Sequence, residues 1–138
     1  MSGWREWKKK LTARAWTGLL VLVLALSLAT SAGAASYMQP YLDQLVNWGV
    51  MRGDINGNLM ENNPITRAEF STMINRAFGF TQTGPTPFRD VPDTSWYYDD
   101  VGIAYNIGYM AGTSATAFSP NAHVTREQAS VILARILM

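Results

Sequence analysis

The chain aligns with itself at an offset of 59 residues without a gap. Asn47-Trp48-Gly49 falls on Asn106-Ile107-Gly108, Met51 and Gly53 on Met110 and Gly112, and Ile65-Thr66-Arg67 on Val124-Thr125-Arg126. Ser36, Asn62, Ser71 and Arg76 recur as Ser95, Asn121, Ser130 and Arg135, making ten identities over the 44 aligned positions, 36–79 against 95–138. Most of these are polar residues or glycine, which shared amphipathicity alone does not produce. A tandem repeat constrains the fold strongly: one copy is a supersecondary unit too small to bury its apolar face, so two copies must share a core.

Residues 1–35 precede the repeats and read as a secretory signal peptide. Arg5, Lys8, Lys9, Lys10 and Arg14 form a basic n-region, Leu19–Ala29 is apolar, and Ser31-Ala32-Gly33-Ala34-Ala35 offers small residues for cleavage after Ala34 or Ala35. An uncleaved anchor is the rival reading, because Ala15–Ala35 is uncharged. The sequence holds no cysteine, so this is not a lipoprotein-type leader, and the folded part depends on packing rather than disulfides even in an oxidising compartment. Beyond residue 35 there are six arginines, no lysine and nine carboxylates, a net charge of −3. That balance excludes a basic nucleic-acid-binding surface.

Each copy reads as helix, loop, helix, so an all-α fold is expected. Met38, Leu42, Leu45, Val46 and Gly49 follow helical spacing, as do Tyr97, Val101, Ala104, Tyr105 and Gly108. Gly53 and Gly112 are expected to close a tight exit about one turn past each first helix. Irregular stretches follow, Asp54–Pro64 and Thr113–His123. Phe70, Met73, Ile74 and Ala77 then mark a second helix, matched by Ala129, Ile132, Leu133 and Ile136. The segment 80–92 is a linker rich in Gly, Pro and Thr, with Phe88 and Val91 expected on the core. Asp93, Thr94 or Ser95 is expected to cap the helix of the second copy.

The second helices start on the sharpest local signal. Thr66-Arg67-Ala68-Glu69 is a capping box, and Thr125-Arg126-Glu127-Gln128 repeats it with Gln at N3. Arg67 and Arg126 are harder to explain, since a cation at N1 faces the positive end of the helix dipole at a cost of roughly 0.3–1 kcal/mol. Two roles are open. Each arginine braces the fold, with Asp90, Asp93 or a Glu as partner, or it joins the helix N-terminus in holding a carboxylate or phosphate.

Other signals carry less. Arg52-Gly53-Asp54 spells an integrin tripeptide, but the second copy reads Ala111-Gly112-Thr113. Asp54–Asn58 with Glu61 faintly resembles a calcium loop whose glycine comes too early, so no metal is expected. The single histidine, His123, aligns with Pro64 and precedes a cap. Adjacent Asp99 and Asp100 point in different directions from a helix start and do not make an acid–base pair. Neither an enzyme nor a cofactor is expected.

The ordered set Phe88-x-Asp90-Val91, Trp96, Gly108…Gly112, Phe118-x-Pro120 and Val124-Thr125-Arg126, with Ile65-Thr66-Arg67-Ala68-Glu69 in the first copy, resembles the S-layer homology (SLH) family. The resemblance covers residues 36–138 and implies SLH repeats at 36–79 and 93–138, the 80–92 linker carrying the F-x-D-V start of the second. It implies an incomplete version of the usual three-repeat, pseudo-threefold bundle. It also implies non-covalent attachment to the bacterial envelope through a pyruvylated secondary cell wall polysaccharide, or through modified peptidoglycan in a diderm. The ketal carboxylate would meet Arg67 or Arg126, Glu69 would serve as the signature glutamate, and Asp90 would hydrogen-bond. Trp96, aligned with Tyr37, would face a sugar ring or anchor the core. The alternative is an assembly module that pairs with itself or with other SLH proteins. The implied location is the cell wall, the S-layer surface or the periplasmic face of a diderm envelope.

The departures are specific. The F-x-D-V segment of the first copy would fall inside the leader, Leu59 and Glu61 replace Phe118 and Pro120, and Glu127-Gln128 replaces Ala-Glu in the second signature.

Overall fold

The computed structural model describes residues 34–138. The expected leader lies outside them, apart from its last two residues, Ala34 and Ala35, which begin the first helix. The described residues form four helices: α1 (Ala34–Asn47), α2 (Arg67–Phe78), α3 (Tyr98–Ile107) and α4 (Arg126–Leu137). The fold is all-α, and β-pairing among the described residues is confined to an isolated antiparallel bridge between Thr66 and His123.

The chain divides into two compact units, one reaching to Met60 and the other running from Glu61 to Met138. This division does not follow the sequence repeat. Helix α2, the second helix of the first copy, folds together with the whole second copy.

In the first unit, α1 buries Met38, Leu42 and Leu45 at helical spacing. Val46, although on the expected stripe, is exposed, and so is its counterpart Tyr105. The helix leaves through Gly49 at φ 71°, and the Val50 amide donates back to the Leu45 carbonyl at 2.9 Å. A left-handed residue there favours glycine. Past it, the Asp54 carboxylate accepts from the amides of Asn56 (2.8 Å) and Asn58 (2.9 Å) and from Asn58 Nδ2 (3.0 Å). These bonds hold the Asp54 carboxyl below the usual range. They are the local Asx-type bonds for which Asp and Asn are suited.

In the second unit, α2 packs on α3. Phe70, Ile74, Phe88, Val91, Val101, Ala104, Tyr109, Met110 and Phe118 are buried in it. The linker docks through Phe88, whose ring lies 5.4 Å from that of Phe118 and edge-on to Tyr105 at 5.0 Å. Helix α3 begins later than the sequence suggests. Ser95 and Tyr98 amides donate to the carbonyls of Pro92 and Ser95, a tight turn that places Tyr97 at the N-cap without a side-chain bond. Asp93, Thr94 and Ser95 are spent in that turn instead of capping.

The two expected glycine exits also need correction. The α3 exit is made by Gly108 at φ 91°, as the α1 exit is made by Gly49. Gly53 and Gly112 answer a steric demand further on. A Cβ on Gly112 would lie 2.5 Å from Phe88 Cε1 and from the Ser114 carbonyl oxygen, and one on Gly53 would meet the Gly57 backbone. The turn each glycine opens is the same in both copies: the Asp54 amide donates to Asn58 O at 3.0 Å and the Thr113 amide to Ala117 O at 2.8 Å.

Candidate functional site

The α2 N-terminus is where the two copies interlock. Thr66 is its N-cap, in extended conformation (φ −80°, ψ 162°), with its hydroxyl accepting from the Glu69 amide. The Glu69 carboxylate accepts in return from the Thr66 amide at 2.8 Å and from its hydroxyl at 2.7 Å. The next two amides would be orphans in an isolated helix. Here Arg67 N donates to Ala122 O at 2.8 Å and Ala68 N to Pro120 O at 3.0 Å. The first three amides of the helix are therefore filled by the chain itself, and the anion position proposed for this helix end is taken by carbonyl oxygens.

Arg67 is accordingly a brace. It is 7% exposed, Nε donates to Phe118 O at 2.8 Å, and Nη2 donates to Ala111 O at 2.6 Å. Its guanidinium carbon stands 4.6 Å from the centre of the Phe118 ring, a cation–π arrangement. Burial pushes its pKa down and the neighbouring Asp90 charge pushes it up; a guanidinium stays protonated under such opposition.

Asp90 holds the same loop from the other side. Burial opposes its charge, but Oδ1 accepts from Phe118 N at 2.8 Å and Oδ2 from Ser119 N at 2.7 Å. Those bonds, its own amide and the Arg67 charge hold the carboxyl below its usual value. Ser119 sits at φ 57°, a strained conformation for a non-glycine residue, and the Asp90 bond to its amide helps hold it. Of the two roles open to Asp90, the geometry supplies the one that fixes the linker.

The corresponding end of α4 is built alike and surrounded differently. Thr125 has φ −80° and ψ 161°, with a reciprocal bond to Gln128. Both bonds of that box measure 3.2 Å. Arg126, however, is exposed, as are Glu127 and Gln128. Trp96 is 65% exposed, its ring edge-on to Tyr97 at 5.2 Å, so it is not a core anchor. The structure thus sorts the named residues. Arg67 and Asp90 serve the interlock, Glu69 is exposed and closes the cap locally on Thr66, and Arg126 and Trp96 face solvent.

Sequence reasoning missed a buried polar cluster joining α2 to α3. Thr72 Oγ1 donates to Asp100 Oδ2 at 2.7 Å, and Asn75 Nδ2 to Asp100 Oδ1 at 2.8 Å. The Tyr109 hydroxyl donates to Asn75 Oδ1 at 2.6 Å and lies 3.2 Å from Ser71 O. Burial raises the Tyr109 pKa, and the Asp100 charge adds to the rise. One signal was available: all four side chains of the cluster change character in the other copy, to Val131, Ala134, Tyr41 and Val50.

Comparison with known proteins gives this architecture relatives. Residues 87–130 match the S-layer homology domain family. The chain is 37% identical over 99 residues to the surface-layer 125 kDa protein of Lysinibacillus sphaericus, covering 72% of this chain and 8% of that protein. It is 30% identical over 101 residues to an endoglucanase of Bacillus sp. (strain KSM-635), covering 72% and 10%. It is 28% identical over 148 residues to the surface layer protein of Brevibacillus choshinensis, covering 96% and 13%. The chain spans about a tenth of the length of the curated relatives it matches.

Proposed function

We propose, from the premise that this chain is an S-layer homology domain protein, that it attaches non-covalently to the bacterial cell envelope. Its ligand in this reading is an anionic glycan, a pyruvylated secondary cell wall polysaccharide or modified peptidoglycan. Relatives named as surface-layer proteins and as a polysaccharide-degrading enzyme support envelope attachment as the shared element.

The observation that carries the glycan reading is the unequal fate of the two arginines. Arg67 has given two of its nitrogens to carbonyls, and the amides beside it are filled. Arg126 repeats the motif on an intact cap with its side chain in solvent. A guanidinium fork at a helix N-terminus suits a carboxylate such as that of a pyruvate ketal. Exposed Trp96 supplies an apolar ring face of the kind that sugar rings stack on. Anion binding is thereby assigned to Arg126 and withdrawn from Arg67.

The test is co-sedimentation with wall sacculi, native against chemically depyruvylated, of protein produced from the full chain in an exporting host. Arg126→Ala and Trp96→Ala are compared with wild type. Pelleting that needs both the ketal and Arg126 is the expected result. Folded wild-type protein that stays in the supernatant with native sacculi would sink the glycan reading, and binding indifferent to Arg126→Ala would remove the assigned site.

A further inference from the structure

Helices α2 and α4 occupy equivalent places in the two copies, yet only α2 is covered on both sides. Its Arg67, Ala68, Ser71, Thr72, Asn75 and Phe78 form one face, and all are buried. The counterparts 59 positions on, Arg126, Glu127, Ser130, Val131, Ala134 and Leu137, are all exposed. Val131 is 45% and Leu137 44% exposed. What covers the α2 face is α3 together with the loop that follows it, seated through Asp100 and Tyr109.

The four residues of that joint change together. Thr72 and Asn75 on α2 become Val131 and Ala134 on α4. Asp100 and Tyr109, on the side that covers α2, have Tyr41 and Val50 as their first-copy counterparts. The hydrogen-bonding joint is thus replaced by apolar Val131 and Ala134 on one side and by the aromatic ring of Tyr41 on the other. Val50, in the place of Tyr109, is itself buried, so Tyr41 is what that side presents, and Ala134 has no amide to bond to it. Beside Tyr41, Tyr37 is 58% exposed, the two rings 5.9 Å apart.

We infer that the exposed face of α4 is a self-association surface whose occupant is α1 of a second copy of this chain. Tyr37 and Tyr41 of one molecule seat on Val131, Ala134 and Leu137 of the next, as α3 seats on α2 within one molecule. The contact joins two different surfaces, so it is head-to-tail, and an assembly of any length keeps one free face of each kind, one at either end. It does not depend on a glycan, and it can be measured without one.

The test is sedimentation velocity on protein produced from the full chain in an exporting host, over about 1–200 μM, the range in which a modest interface shows itself. Wild type is expected to grow in mass with concentration. Val131→Asp and Tyr41→Asp should each raise the dissociation constant at least about tenfold. Val131→Thr, which restores the α2 residue at nearly constant volume, should weaken association with the fold intact and serves if either aspartate variant loses its helical circular dichroism. An equimolar mixture of Val131→Asp and Tyr41→Asp should recover dimers and nothing larger, because one productive joint remains between them. A wild type that stays monomeric throughout overturns the inference. So does association unchanged in folded Val131 and Tyr41 variants, or a mixture that fails to complement.

Discussion

Replacing Arg67 and Arg126 separately by alanine is a controlled experiment that the repeat itself provides. Both residues follow an N-cap threonine of nearly identical geometry, so helix propensity, capping and dipole effects cancel in the comparison. What differs is the surroundings. Arg67→Ala removes two hydrogen bonds from a charged donor, to Phe118 O and Ala111 O, each worth about 1.5–3 kcal/mol. It also removes the contact with the Phe118 ring, about 0.5–2 kcal/mol. Against these stands relief from keeping a charge buried, which takes back several kcal/mol of the gross gain. A net loss of about 3 kcal/mol is expected, against less than about 0.5 kcal/mol for exposed Arg126→Ala. For a folded part of about a hundred residues, that loss lowers Tm by roughly 12–24 °C. Urea and thermal unfolding followed by circular dichroism measure both variants under one condition. Arg67→Lys, which keeps a charge but cannot fork onto two carbonyls, should fall between them. Equal destabilisation by Arg67→Ala and Arg126→Ala would refute the brace.

Three further outcomes are expected. Asp90→Asn should destabilise the protein at neutral pH, and its deficit against wild type should shrink in acid. The folded carboxyl is held below its ordinary value, so its contribution is complete above about pH 4 and lost as pH falls through the lower folded pKa; a deficit independent of pH would contradict this. Tyr109→Phe should cost about 1–2 kcal/mol in urea unfolding, because Asn75 Oδ1 loses its 2.6 Å donor in a buried cluster. Gly112→Ala should cost about 2 kcal/mol or more, since the new methyl would overlap Phe88 and two carbonyl oxygens at 2.5–2.6 Å. An unchanged unfolding midpoint would mean that the turn opens freely.

The parts of the fold that can be read from the sequence are those whose causes lie within one or two turns of chain. Thr-Arg-Ala-Glu and Thr-Arg-Glu-Gln place helix starts because every partner in a capping box is three residues away. The stripes Met38–Leu42–Leu45 and Ala129–Ile132–Leu133–Ile136 mark buried faces because helical period alone aligns them. The glycines were harder to assign. Gly49 and Gly53 both follow α1, and periodicity does not tell a left-handed exit from a steric gap filled by a returning loop. Trp96 shows the same limit, since an aromatic beside a helix start reads alike in core and in solvent.

The sequence by itself determined that there are two copies, that each is helical, and where the second helix of each begins. It could not determine that Arg67 and Arg126, identical in type and position, have opposite environments. That was decided by the passage of residues 118–124 across the end of α2, which brings the carbonyls of Phe118, Pro120 and Ala122 to donors about fifty residues earlier in the chain. The physical reason is that a capping bond is local and a brace is not. A repeat specifies its own turns, but what covers it is set by the neighbour that folds against it.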